Sequence, residues 1–355
     1  MSPLNYTPAE VAAQLEMLKD RQSFVSIFDP HLYRPQSERM CLPKWNYYPK
    51  DIETNDLTPA LWHATIDKVA ETAIGLGTDF VASPAIAPKY FPDEYFEDLV
   101  GAGDRLAAAL RGKDITPMQT VVANMADLSA PSRAMAIASI ISRSKCPECL
   151  LVFVSTARPG REIAESEELK GAMRMIAALE SGGQKVTVAF SSADVVLWKA
   201  AGATNCASGK FFNLRRFTIS RFDEPKGEGG GQLPYLFEEA LLAFLRQSDI
   251  LKVRDKGFFS AATSQNPFSK QILEAMPLKN PWVRFGWRQY LYWFADIEAR
   301  IASGATSALD IVRTADKNWG AIERLDPPFY MEDRQTDGVW VRQWLRAIVE
   351  FPHFR

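Results

Sequence analysis

The sequence has few cysteines, and they are scattered along the chain. Only four occur in 355 residues, too few and too far apart for a disulfide framework. Cys146 and Cys149 form a CxxC, but Cys41 and Cys206 are distant. The chain has three histidines, which are His31, His63 and His353. They make no ligand pattern around the CxxC, so we interpret it as a loop and the start of a strand in a reducing compartment, with structural zinc as the alternative.

Long apolar runs and an excess of one charge are also missing. No run approaches the roughly 20 apolar residues of a membrane span, and the N-terminus lacks the basic and apolar regions of a secretory signal. We therefore expect a cytoplasmic protein with no membrane partner. Lys and Arg number 41 against 43 Asp and Glu, a formal net charge of −2. Bulk charge gives no support to a nucleic-acid partner, which would have to be held by local basic patches.

What the chain does have is a regular alternation of strand and helix patterns. Its 47% hydrophobic residues suffice for a large core. The strand-like runs are residues 23–28, 79–83, 119–124, 149–155, 185–190 and 204–207. Alternation at this pitch predicts an α/β fold with parallel strands, and the length suits a TIM-type (β/α) barrel with an appendage. We predict a barrel domain over residues 1–254 and a C-terminal helical appendage over residues 255–355.

Closure of this barrel is inferred, because only six strands are clear. A seventh is predicted at residues 250–254. A Gly-rich segment separates the six strands from residues 233–247, which we predict to form an amphipathic helix. Beyond residue 255 the patterns favour helices over residues 270–276, 282–301, 307–314 and 339–351.

Candidate acids follow two of the predicted strands, at the barrel end where such folds keep their chemistry. Asp29 is either a catalytic carboxylate or a turn residue before Pro30. His31 is a candidate acid–base partner or a loop histidine. Asn124 could hydrogen-bond a polar substrate. Asp127 is a candidate second acid, although the residues alone favour a role in capping a helix.

Basic and aromatic residues cluster after the sixth strand. Aromatic rings stack bases and cations hold phosphates, but core aromatics with snorkelling cations give the same pattern. The motif at residues 208–210, Ser-Gly-Lys, lacks the leading glycines of a P-loop. We predict no metal and no cofactor. The candidate substrate-binding residues are His31, Tyr47, Tyr48, Asn124, Arg158, Ser208, Lys210, Phe211, Asn213, Arg215 and Arg216.

Residues 150–217 resemble the late strand–helix–strand unit of the tRNA-guanine transglycosylase superfamily. The resemblance rests on the short helix ADVVLWKAAGA and on the preceding run GAMRMIAALESGGQKVTVAF. Where that family brings an aspartate nucleophile this chain has Ala207, and the family's cysteine-rich zinc site is absent. The resemblance therefore implies cleavage of an N-glycosidic bond without base exchange. Divergent relatives of this type act on DNA, including glycosylases that defend bacteria against phages with modified bases.

Our leading hypothesis is a DNA glycosylase that excises a modified base, with DNA favoured over tRNA as the partner. Asp29 would stabilise the positive charge on the sugar, and aromatic and amide side chains would hold the flipped base. One alternative is a metabolic barrel that binds a small phosphorylated substrate through residues 208–210. Another is a binding module that presents the Trp-rich helix at residues 282–293 to a protein.

Overall fold

The fold is organised around a six-stranded parallel sheet that curls into half a barrel, as seen in a computed structural model. The structure describes residues 2–20, 24–35, 39–49, 59–158, 160–209, 214–223, 233–327, 330–331 and 337–354. The strands are β1 Ile27–Phe28, β2 Phe80–Ala82, β3 Thr116–Asn124, β4 Glu148–Val154, β5 Lys185–Ala189 and β6 Asn205–Cys206. Their order in the sheet follows their order in the chain, and every pair of neighbours is parallel. The six predicted strands are thus confirmed, and their carboxyl ends all meet at one edge.

Helices connect the strands. In chain order they are α1 Pro8–Glu16, α2 Pro59–Leu76, α3 Asp93–Ala109, α4 Met125–Leu128, α5 Pro131–Ile141, α6 Ser166–Ser181 and α7 Val195–Ala200. The start of α1 is the predicted one, because Thr7 and Glu10 form a reciprocal capping box and Pro8 opens the helix. Gly171 lets α6 approach α4 closely, since a Cβ there would clash with the Leu128 carbonyl oxygen. That contact fixes the chain just after β3.

The sheet is buried on both faces. Ala82, Met118 and Leu150 form a small apolar cluster of their own, while the crossover helices cover the other face with the main core. Strands buried on both faces read as continuous apolar runs. This explains why the central strands β3 and β4 stand out in the sequence. The described residues add no further strand to this sheet, so the α/β class is confirmed and a closed barrel is not seen.

The segment after the sheet differs from its prediction. Residues 233–247 were predicted as a helix but contain an antiparallel hairpin, β7 Leu236–Glu238 and β8 Ala243–Leu245, in which Phe237 faces Phe244. All three residues of β7 are buried, and a segment buried on every side carries no period that separates helix from strand. The predicted seventh strand at residues 250–254 is also wrong, because it lies within the helix α8 Gln247–Asp255.

Glu238 closes this hairpin from inside the core. Its Oε1 accepts hydrogen bonds from the backbone N–H groups of Ala240 at 3.0 Å and Ser260 at 3.2 Å. The side chain is fully buried, and burial raises the pKa of Glu238 to about 7. The hairpin therefore contains a carboxyl group whose charge is costly at neutral pH.

The C-terminal third is helical, as predicted. Its remaining helices are α9 Ala261–Gln265, α10 Ser269–Ala275, α11 Val283–Ala302, α12 Ala308–Glu323 and α13 Val339–Glu350. Of these, α11, α12 and α13 pack against α6 and α7. Trp344 donates to the Ile163 carbonyl at 2.7 Å, and Cys206 donates its N–H to Glu298 at 2.7 Å. These helices therefore cover the β5–β6 side of the sheet. Within the ranges given above, no helix combines the length and apolarity needed to span a membrane.

Candidate active site at the carboxyl ends of the strands

Asp29 leaves β1 at the carboxyl end of the sheet and is held in a fixed orientation. Its Oδ1 accepts the backbone N–H of His31 at 2.9 Å, which is the geometry of a turn. Its Oδ2 accepts the hydroxyl of Tyr33 at 2.9 Å and lies 3.4 Å from His31 Nε2. The carboxylate keeps 18% of its surface exposed. Asp29 is thus a turn residue and also a carboxylate that a ligand can reach.

His31 is buried beneath Asp29 and has a left-handed backbone, with φ of 56°. Burial lowers the pKa of His31 to about 4, against the opposing pull of Asp29. The ring is therefore neutral at pH 7. It can orient Asp29 by donating from Nε2, but it holds no proton that it could give up as an imidazolium acid.

An aromatic cluster borders Asp29, made of Tyr33, Phe190, Phe217 and Phe222. The Tyr33 ring lies 5.0 Å from that of Phe217 and 5.7 Å from that of Phe222, and Phe190 lies 5.3 Å from Phe217. Burial, reinforced by Asp29, keeps the pKa of Tyr33 well above its usual value. Tyr33 therefore stays protonated and donates to Asp29. The rings make the surroundings of this carboxylate apolar on one side.

Three arginines gather beside the same carboxylate. Arg39 donates to the backbone carbonyls of Arg221 and Asp223, and Arg34 pairs with Asp223 at 2.7 Å. Burial, and after it the charge of Arg39, lowers the pKa of Arg221 to about 10, while Asp29 attracts its proton. Arg221 still carries its charge at pH 7. The edge near β1 therefore combines three arginines with two carboxylates, Asp29 and Asp223, and Asp223 is paired with Arg34.

Asn124 and Asp127 follow β3, two strands away from Asp29. The Oδ1 of Asn124 accepts the Ala126 N–H at 3.2 Å and so caps α4. Its Nδ2 donates to Asp127 Oδ1 at 3.4 Å. Asp127 thus sits in the first turn of α4, and the capping atom belongs to Asn124. The end of β1 is level with Pro117 of β3, so Asn124 lies seven residues, roughly 23 Å, farther along the strand direction. The fold therefore does not bring Asp127 to Asp29.

Arg215 and Arg216, predicted to contact phosphates, are instead buried in a network of opposite charges. Arg215 pairs with Glu162 at 3.2 Å and donates to Ser192 Oγ at 2.6 Å. Arg216 pairs with Glu162 at 3.1 Å and with Asp194 at 3.5 Å. Each of these four charged side chains is at most 8% exposed. Binding a phosphate would require breaking these pairs, which makes both arginines structural in this arrangement.

The network ties the loop after β6 to the rest of the fold. The guanidinium carbon of Arg215 lies 3.6 Å from the centre of the Phe244 ring, on the hairpin. Asp194 Oδ1 accepts the indole N–H of Trp198 at 3.1 Å. Burial raises the pKa of Asp194, with Arg216 opposing the shift. The loop that carries Phe217 and the arginines is consequently anchored to β5, α7 and the hairpin.

The other predicted binding residues are dispersed. Tyr47 and Tyr48 are buried and donate their hydroxyls to the Pro30 and Arg34 carbonyls, both at 3.1 Å. They support the loop after β1 and offer no ring face to a base. The Ser208 hydroxyl pairs with that of Tyr290 at 3.0 Å. Arg158 is exposed after β4. The remaining predicted residues, Lys210, Phe211 and Asn213, lie outside the described part of the chain.

Sequence reasoning missed Tyr33, Arg221 and Glu162. Tyr33 follows Asp29 by four residues, and that spacing was the only signal for it. Arg221 was one of several basic residues in its loop. Glu162 carries no local signal at all, because its partners are 53 and 54 residues away.

The cysteines of the CxxC are buried thiols. Cys146 Sγ donates to the Gly103 carbonyl at 3.4 Å, and burial raises the pKa of Cys146 to about 12. Burial raises the pKa of Cys149 as well. The described residues contain no group of three His, Cys, Asp or Glu side chains arranged to hold a metal ion. The zinc alternative therefore has no support there.

Comparisons with known proteins contribute nothing to a functional assignment, which therefore rests on the geometry of the site. No protein-family model, no curated protein and no solved structure matches the chain.

Proposed function

We propose that this protein hydrolyses N-glycosidic bonds and that its substrate is a modified base in DNA. The single observation that carries the proposal is Asp29, a reachable carboxylate at the strand ends, fixed by two donors and bordered by aromatic rings. Breaking a base–sugar bond leaves positive charge on the sugar. A preorganised carboxylate beside that sugar would stabilise the charge without having to reorganise.

In the proposed reaction, the base leaves C1′ with the electron pair of the C–N bond. Asp29 faces the cationic sugar, while the neutral His31 ring and the Tyr33 hydroxyl hold its oxygens in place. Water adds its oxygen to C1′, and its proton passes to the departing base. Arg221, charged at neutral pH, would stabilise the negative charge on the departing base.

The partner in this proposal is a polyanion because cations surround the candidate site. Arg39 and Arg221 take over the phosphate-binding role that the sequence had suggested for Arg215 and Arg216, since Arg34 is paired with Asp223. Phe190, which is partly exposed whereas Tyr33, Phe217 and Phe222 are buried, would supply stacking to a flipped base. Antiviral defence against phages with modified DNA is the biological setting that the transglycosylase resemblance suggests. Within the same proposal, the six consecutive parallel strands are those of a TIM-type barrel related to that superfamily.

The test is an assay for abasic sites after incubation of the purified protein with modified and unmodified phage DNA. We expect abasic sites in modified DNA alone. Asp29→Asn should abolish them and leave DNA binding intact. Asp255→Asn, a change of the same kind at a carboxylate 71% exposed on α8, is the matched control and should have no effect. Unchanged base release by Asp29→Asn would remove Asp29 from the mechanism.

A salt titration of DNA binding separates this proposal from the metabolic alternative. Phosphate contacts made by arginines predict an affinity that falls as salt rises. An absence of DNA binding even at low salt would contradict the proposal and favour a small phosphorylated substrate held by the same cations.

A further inference from the structure

A second concave site lies between α2 and α3, apart from Asp29. It is a pocket of about 280 Å³. Trp62 and Ile66 of α2, Tyr95 and Leu99 of α3, and the segment 84–86 after β2 form its apolar walls. A volume near 300 Å³ is at the small end of ligand pockets in proteins. It suits a single-ring compound.

The pocket is rigid where it meets the sheet. The Tyr95 hydroxyl, on one wall, donates to the Ile86 carbonyl at 2.7 Å. The next residue, Ala87, donates its N–H to the Tyr33 carbonyl at 2.9 Å. The segment 84–87 therefore separates the pocket from the Asp29 site and is fixed on both sides. A ligand would find this wall already formed, which lowers the entropic cost of binding.

The charged groups of the pocket are acidic. Glu97 and Asp98 line it together with one histidine, His63, and neither Lys nor Arg is among its lining residues. Glu97 is paired with Arg143 at 3.2 Å. Burial, together with Glu97 and Glu94, raises the pKa of Asp98, as happens to a carboxyl group that lacks a nearby cation. A ligand that brings a positive charge would supply one.

We propose that this pocket binds a small organic cation with a flat apolar body, such as an arylalkylammonium ion. Its ring would lie between the aromatic and aliphatic walls, and its ammonium group would face Asp98. Trp62 and Tyr95 line the pocket, and aromatic rings attract cations. The site is separate from the proposed glycosidic activity, and the experiment below tests it independently of that activity.

Gly101 provides the sharpest variant. It lines the pocket in the middle of α3, and a Cβ placed there meets nothing within 4 Å. Gly101→Leu should therefore fill the pocket without straining the helix, and should even favour it, since glycine is a poor helix former. Gly75→Leu is the matched control, because Gly75 lies within α2, has the same open space and does not line the pocket.

The experiment measures binding of phenethylammonium by calorimetry on the full chain, with phenylacetate as the probe of opposite charge. We expect saturable binding of the cation and none of the anion. Asp98→Asn should weaken binding about threefold to fivefold, as expected for a partly exposed ion pair. Gly101→Leu should abolish binding, and Gly75→Leu should leave it unchanged. Equal binding of both probes, or undiminished binding by Gly101→Leu, would overturn the proposal.

Discussion

Removing the charge of Glu162 should weaken the packing of the loop after β6 against the rest of the protein. This carboxylate is 8% exposed and joins the two buried arginines, Arg215 and Arg216, at 3.2 and 3.1 Å. It also accepts the Ser192 hydroxyl at 2.7 Å. Glu162→Gln keeps the size and one acceptor but leaves two guanidinium groups with Asp194 as the remaining carboxylate of the network.

The expected loss is large because the charges are out of water. Breaking a buried ion pair by removing one partner costs about 3–5 kcal/mol, since it leaves an uncompensated charge inside the protein. Asp194 still faces Arg216 at 3.5 Å and offsets part of this cost. We therefore expect the free energy of unfolding to fall by about 3 kcal/mol. That is a sizeable share of the roughly 5–15 kcal/mol typical of a folded domain.

Urea denaturation followed by fluorescence measures this loss. Glu274→Gln is the matched control, because Glu274 is paired with Lys270 at 3.8 Å and the two side chains are 64% and 81% exposed. The control should cost less than about 1 kcal/mol. Its cost should also shrink with added salt, whereas that of Glu162→Gln should not. If the two variants lost equal stability, the buried network would not be what anchors this loop.

Four further substitutions test other parts of the account. The pKa of Glu238 rises from its ordinary 4.5 to about 7 on folding, so stability should fall as pH increases across that interval. Glu238→Gln should flatten this dependence and add up to roughly 3 kcal/mol above pH 7; a pH series of urea titrations would show it. Gly171→Ala should crowd α4, lowering the free energy of unfolding by about 1–3 kcal/mol and with it the thermal midpoint. Gly101→Ala should raise the free energy of unfolding by up to about 1 kcal/mol, and the thermal midpoint should rise accordingly. Tyr33→Phe should slow base release about tenfold by freeing Asp29, with little change in DNA affinity; full retention of the rate would exclude a positioning role.

The parallel sheet was predictable because its physical causes are local. A strand buried on both faces is apolar without interruption, as over residues 149–154 of β4, and the helices between the strands carry caps and turns that mark their ends. The hairpin was not predictable in the same way. Leu236, Phe237 and Glu238 are all buried, and a buried glutamate reads as a surface position until its partners at Ala240 and Ser260 are known.

Some residues of the candidate site were likewise predictable from the sequence and others were not. Asp29 could be found because a carboxylate at a strand end is visible in the sequence. The burial of Arg215 and Arg216 could not be predicted, because a basic loop has the same sequence pattern whether its cations face a phosphate or a buried carboxylate. Only the fold brings Glu162, more than 50 residues earlier, between them.

The most direct test of the central claim is mass spectrometry of the free base released from modified DNA in a single turnover. If Asp29 drives cleavage, the wild-type protein releases the modified base and Asp29→Asn bound to the same DNA releases none. Release of the base by Asp29→Asn at the wild-type rate, or no release by the wild-type protein from any modified DNA, would contradict the account.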